Sequence, residues 1–242
     1  MKRFILFFLL VALTATTASA QGGVIRRQQN TTKPTKPTKP TKPTKPTTSI
    51  RTSNCPDGNH PHMIDLGLPS GTKWACCNVG AKKPEDYGGY YAWGETTTKN
   101  KYSYETYKHC DGDYKSCHNL GASICGTQYD VAHVKWGGPW QMPTFDQVKE
   151  LVDKCNKGMW TTQNGVKGCK FTGPNGRSIF LPAAGDRLDS KYLDLGRYGY
   201  CWSGTQDTSD EYRAYYFSFG SDYASWSGGN RNCGQSVRAV AR

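Results

Sequence analysis

Residues 143–181 read PTFDQVKELVDKCNKGMWTTQNGVKGCKFTGPNGRSIFL, and this stretch decides the fold class. Its first part has the Thr-x-x-Gln spacing of a helix capping box at Thr144 and Gln147. Apolar residues then recur at the helical period as far as Cys155. The sequence therefore predicts a helix that begins at Thr144 and is stopped by Gly158.

The second part of the stretch predicts two β-hairpins. Asn164-Gly165 separates two short β-prone segments, which is the signal of a two-residue type I′ turn. Gly173-Pro174-Asn175-Gly176 then joins residues 168–172 to residues 177–181 in the same manner. One helix followed directly by antiparallel hairpins is typical of an α+β fold.

The remaining sequence around this stretch extends the same pattern. One short helix is expected at residues 130–135, and residues 98–129 are polar and rich in cysteine, which predicts a long loop. Short strands are predicted at residues 63–66, 72–76, 90–93, 214–219 and 236–241. We therefore expect an α+β domain with few helices, many short antiparallel strands and long loops.

The N-terminal 54 residues are predicted to consist of a targeting signal followed by a spacer. Residues 1–20 combine Lys2 and Arg3, an apolar run and a small-residue end, which predicts a secretory signal peptide and an exported protein. Residues 21–54 contain five Thr-Lys-Pro repeats, which favour polyproline II and predict a semi-rigid stalk. The domain is expected to span residues 55–242. The apolar run is too short for a transmembrane helix, so we expect no membrane span in the mature chain.

The positive charge is concentrated in this N-terminal part. The formal net charge of the 242 residues is +12, but residues 55–242 carry 21 basic and 19 acidic side chains, a net charge of only +2. A nearly neutral domain argues against a specific nucleic-acid groove. The lysines of the stalk lie on one edge of a polyproline II helix, where they offer either a weak contact to a polyanion or simply a solvated spacer.

All ten cysteines lie in the domain, and an exported protein with an even number of cysteines is expected to form disulfides. Two pairings have local reasons: Cys155 with Cys169 closes a short loop, and Cys201 with Cys233 brackets the C-terminal loops. Zinc binding by the cluster of His109, Cys110, Cys117, His118 and Cys125 is a weaker alternative, because the compartment favours oxidation. His60 and His62 are expected to be exposed loop residues.

Seven strings, in order along the domain, are similar to one family. The chain resembles exported bacterial proteins of the major paralogous domain type (Fibrobacter succinogenes major paralogous type), which are common among surface proteins of Bacteroidetes. That family resembles the C-type lectin-like fold, shared with sulfatase-modifying enzymes and with the variable proteins of diversity-generating retroelements. The resemblance implies paired N- and C-terminal strands and a binding face near the C-terminus. The strings are LGLPSGTKWA (66–75), YGGYYAWGET (87–96), WGGPWQMPT (136–144), NGVKG (164–168), SIFLPAAGDR (178–187), GYCWSGT (199–205) and GQSVRAV (234–240).

The C-terminal region also has the composition of a binding surface. Residues 197–233 are rich in Tyr and Trp, with Ser, Gly and Asn at most other positions, and these residue types combine large contact area with adaptable hydrogen bonding. Alternation predicts that Tyr215, Phe217 and Phe219 share one strand face and face the core, and Trp202 is also assigned to the core. The candidate ligand-binding residues are Tyr200, Tyr216, Asp222, Tyr223, Trp226, Asn230, Arg231 and Asn232.

We therefore expect a non-enzymatic binding domain for a glycan or a surface protein. Calcium-dependent lectins of this fold carry Glu-Pro-Asn and Trp-Asn-Asp strings, and neither occurs in this sequence, so no cofactor is expected. Asp111 and Asp113 are the candidates for a cation, with a solvated loop as the alternative. The alternative function is that of an oxidase related to the formylglycine-generating enzymes, which use two closely spaced C-terminal cysteines on copper. Cys201 and Cys233 are far apart in the sequence, so we expect such a relative to be inactive.

Overall fold

The computed structural model describes residues 63–156 and 158–242, and within them the α+β prediction is confirmed. The predicted signal peptide, the stalk, Cys55, His60 and His62 lie outside the described residues. The helices are α1 (Val131–Trp136) and α2 (Phe145–Lys154), with single 3-10 turns at Tyr104–Thr106 and Tyr114–Ser116. The strands are β1 (Met63–Asp65), β2 (Lys73–Ala75), β3 (Met159–Gln163), β4 (Val166–Thr172), β5 (Ser178–Pro182), β6 (Asp186–Leu188), β7 (Lys191–Leu193), β8 (Gly199–Gln206), β9 (Arg213–Phe219), β10 (Ala224–Asn230) and β11 (Val240–Ala241).

Helix α2 begins at the predicted capping box. The Thr144 hydroxyl accepts a hydrogen bond from the Gln147 amide at 3.2 Å, and the Gln147 side chain accepts one from the Thr144 amide at 2.9 Å. The helix ends at Lys154, before the predicted stop at Gly158, because Cys155 already has an extended backbone. Its buried face, which includes Val148 and Leu151, packs into the core.

The two predicted hairpins are confirmed and form the sheet β3-β4-β5. Asn164 and Gly165 both have positive φ angles, 47° and 84°, as a type I′ turn requires. In the second hairpin the Gly173 amide donates to the Arg177 carbonyl at 2.9 Å. The turns are thus set by local sequence.

The N- and C-terminal strands of the described residues pair, as the resemblance implied. β2 lies between β1 and β11 in one antiparallel sheet. Only Val240–Ala241 of the predicted strand 236–241 is a strand, and the buried Arg238 before it donates to the carbonyls of Ala75 and Phe180 instead.

The third sheet has the order β10-β9-β8 and lies between two parts of the core. Phe217 and Phe219 face the cluster that contains α2, so their assignment to the core is confirmed. Trp202 points to the other side, is fully buried beside Trp93, and is also confirmed as a core residue. Tyr215 is only partly buried, because it lies near the open end of this sheet.

The prediction of a strand at residues 90–93 is wrong. Only Tyr91 forms an isolated β-bridge, with Gln235. The segment is fixed mainly by side-chain burial: Trp93 is fully buried and its indole donates to the Ser203 carbonyl at 2.9 Å. The aromatic residues of this segment therefore indicate burial in the core and not the hydrogen bonding of a β-strand.

The predicted disulfides are also corrected. Cys110 and Cys117 form a disulfide, whereas Cys155, Cys169, Cys201 and Cys233 form no disulfide with any cysteine that the structure describes. Tertiary packing separates the second predicted pair, because Cys201 belongs to the core cluster of α2 and Cys233 packs against the cluster of Trp93. Cys169 shares the cluster of Cys155, but its thiol contacts the Gly220 carbonyl at 3.4 Å.

The helices in the described residues are all too short, or too polar, to cross a lipid bilayer.

Candidate functional site

The eight candidate residues do not form one surface. The structure places Tyr200, Tyr216 and Tyr223 together, and it places Asn230 and Asn232 together in a separate cleft. Trp226, Asp222 and Arg231 each have different surroundings, which are described below.

Tyr200, Tyr216 and Tyr223 lie on one side of the sheet β10-β9-β8, where Tyr198 joins them. Ring centroids are separated by 5.9 Å for Tyr200 and Tyr216, by 6.4 Å for Tyr198 and Tyr200, and by 5.9 Å for Tyr198 and Tyr223. We call these four residues the tyrosine face. Because the rings contact one another in tilted or edge-to-face arrangements, part of their surface is used within the protein.

Two carboxyl groups border the tyrosine face. The Tyr200 hydroxyl donates to Asp194 at 3.0 Å, and burial together with this carboxylate raises the pKa of Tyr200. Burial, followed by the charge of Asp194, raises the pKa of the Asp186 carboxyl to about 6. Asp186 is therefore partly protonated close to neutral pH.

Trp226 lies on the reverse side of the same sheet. Its ring is 40% exposed and contacts Phe145, the first residue of α2, at a centroid distance of 4.8 Å. Phe145 in turn stacks on Tyr215 at 4.4 Å. Successive residues of a strand face opposite ways, and Trp226 pairs with Phe217 whereas Tyr223 lies with Tyr198 and Tyr216, so Trp226 and Tyr223 cannot contact one small ligand together. Asp222 is exposed in the turn between β9 and β10.

The prediction that Arg231 binds a ligand is wrong, because this residue is fully buried and cannot meet a ligand at the surface. Its guanidinium stacks over Trp93 at 4.7 Å, donates from Nε to the Tyr107 hydroxyl at 2.9 Å and donates from Nη1 to the Glu211 carbonyl at 2.7 Å. The residue holds the loop of residues 104–118 and the turn before β9 against the core.

Asn230 and Asn232 line a cleft of about 330 Å³, which we call the Asn232 cleft. Its other walls are the segments 103–105 and 112–114 and the end of β6 at Leu188–Asp189. Asn232 is only 2% exposed, and its amide donates weakly to the Tyr102 carbonyl at 3.4 Å. Its Oδ1 has no hydrogen-bond partner among residues 63–156 and 158–242. A buried amide oxygen without a partner is costly and is satisfied by a ligand or a water.

The Asn232 cleft is acidic. Glu105, Asp113 and Asp189 all line it, and its described lining contains no Lys or Arg. The hydrogen bond from Ser103, followed by Lys101, holds the pKa of Glu105 below its ordinary value, so this carboxylate is charged. The cleft therefore repels anions.

Residues 103–114 form a wall of the Asn232 cleft, although the sequence predicts only an irregular loop there. The Cys110–Cys117 disulfide closes this segment, and Asp113 caps the turn at Tyr114–Ser116 through the Lys115 amide at 2.8 Å. Tyr114 is 42% exposed at the cleft and contacts Tyr212 at 5.2 Å. The closely spaced tyrosines and cysteines were the available signal for an ordered wall.

The predicted zinc and calcium candidates have other partners. Cys110 and Cys117 are oxidised to a disulfide, so the zinc hypothesis loses both thiolates. Asp111 contacts the His118 ring at 2.9 Å, and Asp113 accepts the Lys115 amide. In the part of the chain that the structure describes, no three His, Cys, Asp or Glu residues are grouped to hold a metal.

The comparisons with protein-family models, with curated proteins and with solved structures each found no match to this chain.

Proposed function

We propose that this protein is a non-enzymatic binding protein and that its ligand is a neutral glycan held in the Asn232 cleft. The observation that carries the proposal is the lining of this cleft, where three carboxylates and the exposed Asn230 amide lie beside the buried Asn232. The Asn232 carbonyl oxygen has no partner among the described residues but is shielded from solvent, so a sugar hydroxyl can donate to it only after the side chain turns toward the cleft.

The other groups of the cleft suit the same ligand class. The carboxylates of Glu105, Asp113 and Asp189 accept hydrogen bonds from hydroxyls, and the exposed Asn230 amide both donates and accepts. The ring of Tyr114 offers an apolar surface for the C–H face of a sugar. Three carboxylates without a lining cation disfavour acidic polymers, so the ligand is neutral.

The tyrosine face supports this proposal less well. Its rings already contact one another, and the Tyr200 hydroxyl already donates to Asp194. In the Asn232 cleft, by contrast, a polar group is still without a partner. A flat protein ligand would bind the tyrosine face in preference to the cleft. The experiment below distinguishes these two binding sites.

The experiment is an array of neutral and acidic glycans probed with the full chain and two variants. Tyr114→Ala removes the exposed ring and Asn230→Ala removes the exposed amide, and we expect each to weaken binding to a neutral glycan about tenfold. The matched control is Tyr223→Ala, which removes a ring of similar exposure, 40%, from the tyrosine face. We expect the control to bind normally.

The reverse pattern, with binding lost in Tyr223→Ala and kept in Tyr114→Ala, would move the site to the tyrosine face. If the chain binds proteins but no glycan, the ligand is a protein and not a neutral glycan.

The proposal includes an exported domain of the C-type lectin-like, major paralogous type, presented on the Thr-Lys-Pro stalk. The paired N- and C-terminal strands support this fold. The stalk lysines are proposed to give at most a weak, salt-sensitive contact to polyanions.

The oxidase alternative is less well supported. A thiolate is the form that binds copper, and burial raises the pKa of both Cys201 and Cys233 to about 12. Both groups are therefore protonated thiols at neutral pH. Conversion of a peptide cysteine to an aldehyde by the copper-treated protein would restore the oxidase hypothesis.

A further inference from the structure

A second cavity, of about 400 Å³, adjoins the hairpin β6–β7. Arg187 of β6 lines it, whereas the next residue, Leu188, lines the Asn232 cleft. Neighbouring residues of a strand point to opposite faces, so the hairpin separates the two cavities. We call this second space the Arg187 cavity; the rings of Tyr90, Tyr102 and Tyr192 form much of its wall.

The guanidinium of Arg187 is held between two of these rings. Its carbon lies 5.0 Å from the centroid of Tyr102 and 4.5 Å from that of Tyr192. Nη1 donates to the Lys99 carbonyl at 3.0 Å and Nη2 donates to the Asn100 carbonyl at 2.9 Å. Nη2 also donates to the Ser190 carbonyl at 3.5 Å, and the buried Nε has no partner among the described residues but is shielded from solvent. The guanidinium is therefore fixed in one orientation, and one N–H of Nη1 is left over to donate to a ligand.

The charge of Arg187 is not neutralised in the described part of the chain. All its hydrogen bonds there go to neutral carbonyls, and none of the ion pairs among the described residues includes it. The other cation of the cavity, Lys99, is paired with Glu95 at 2.9 Å. The described lining of the cavity contains no carboxylate. A partly buried cation without a counter-ion attracts an anion of matching geometry.

We infer that the Arg187 cavity is a second binding site, for a carboxylate carried on a ring. A carboxylate supplies the missing negative charge and accepts a charge-assisted hydrogen bond from the unused N–H of Nη1. Tyr192 is 55% exposed and gives the ring of the ligand an aromatic surface to pack against. This site uses different residues and the opposite charge from the Asn232 cleft, so it stands independently of the proposed function.

The test is a calorimetric titration of the full chain with d-glucuronate, with d-glucose as the neutral counterpart. Benzoate and benzyl alcohol form a second pair, which distinguishes an acidic sugar from an aromatic acid. We expect at least one carboxylate to bind about tenfold tighter than its neutral counterpart, because the hydrogen bond to Arg187 is charge-assisted. We also expect this affinity to fall as salt is added.

Three variants assign the binding to the cavity. Arg187→Gln is expected to weaken carboxylate binding about tenfold, and Arg187→Lys is expected to weaken it as well, because it keeps the charge but loses the planar guanidinium. Tyr192→Ala leaves the guanidinium contacts with the carbonyls in place and tests the site even where an Arg187 variant disturbs the loop of residues 99–100. The matched control is Arg197→Gln, at an exposed arginine that also lies over a tyrosine ring, 5.7 Å from that of Tyr198.

Equal binding of each carboxylate and its neutral counterpart would overturn the inference. So would carboxylate binding that is unchanged in Arg187→Gln and Tyr192→Ala, or that is lost in Arg197→Gln instead. Tyr114→Ala should leave carboxylate binding intact, which separates a failure of this site from a failure of the Asn232 cleft.

Discussion

Tyr104 and Tyr107 carry the same hydroxyl group in opposite situations, and this predicts stability changes of opposite sign. The buried Tyr104 hydroxyl has no hydrogen-bond partner in the described part of the chain, and burial raises its pKa to about 12, so it is an uncharged polar group. The Tyr107 hydroxyl donates to the Trp93 carbonyl at 2.6 Å and accepts from Arg231 Nε at 2.9 Å. Replacement of either tyrosine by phenylalanine removes one oxygen and leaves the ring.

The magnitudes follow from what each oxygen does. A buried polar group without a partner costs about 1–3 kcal/mol, so Tyr104→Phe is expected to raise the free energy of unfolding by about 1 kcal/mol. Tyr107→Phe leaves a carbonyl and a buried guanidinium without their partner and is expected to lower the free energy of unfolding by about 2 kcal/mol or more. For a domain of this size, 1 kcal/mol corresponds to a change in Tm of about 2–4 °C.

The assay is urea denaturation of the full chain and of both variants. The midpoints are compared at an unchanged slope, because a changed slope would indicate a different unfolded or native state. If Tyr104→Phe destabilises the protein as much as Tyr107→Phe, the Tyr104 hydroxyl has a partner in solution and the reasoning from unpartnered groups fails for this cleft.

Two further predictions concern the acidic groups and the disulfide. Burial and the charge of Asp194 raise the pKa of Asp186 to about 6. Between this value and the ordinary pKa of about 4, the native state binds more protons than the unfolded state. The free energy of unfolding should therefore fall as the pH rises from about 4 through 6. Asp186→Asn should reduce this slope in denaturation midpoints measured across that range, and an unchanged slope would refute the assignment. Replacement of both Cys110 and Cys117 by serine opens a loop with a sequence separation of 7 and should cost about 2 kcal/mol, measured by thermal unfolding. The same variant should weaken neutral-glycan binding, since the loop forms a wall of the Asn232 cleft, and full retention of binding would contradict that wall.

Much of the fold was predictable from local signals. The capping box at Thr144 places the start of α2, and Asn164-Gly165 places the first hairpin, because both depend on hydrogen bonds or φ angles within a few residues. The strand expected at residues 90–93 failed because the same aromatic pattern serves equally well for isolated core residues. The disulfides failed because cysteine spacing does not report which thiols meet in space.

The candidate site was predicted only in part. Of the ligand-binding residues predicted from the composition of residues 197–233, the structure places Asn230 and Asn232 in one cleft and Tyr200, Tyr216 and Tyr223 near one another; that they bind a ligand stays a prediction. The composition also included Arg231, whose buried role depends on Trp93 and Tyr107 from a distant part of the chain. No pattern around Arg187 indicated a cavity, because the rings beside it come from separate segments.

The sequence by itself determined the class of the domain, the start of its main helix and its tight turns, since these follow from interactions between residues close in the chain. Only the tertiary structure decided which polar groups are left without partners, and therefore where a ligand can bind. Arg187 and Arg231 are the same residue type, but the fold leaves Arg187 at the wall of a cavity and buries Arg231 completely. Burial and hydrogen bonding are properties of the whole packed chain, and no local stretch of sequence contains them.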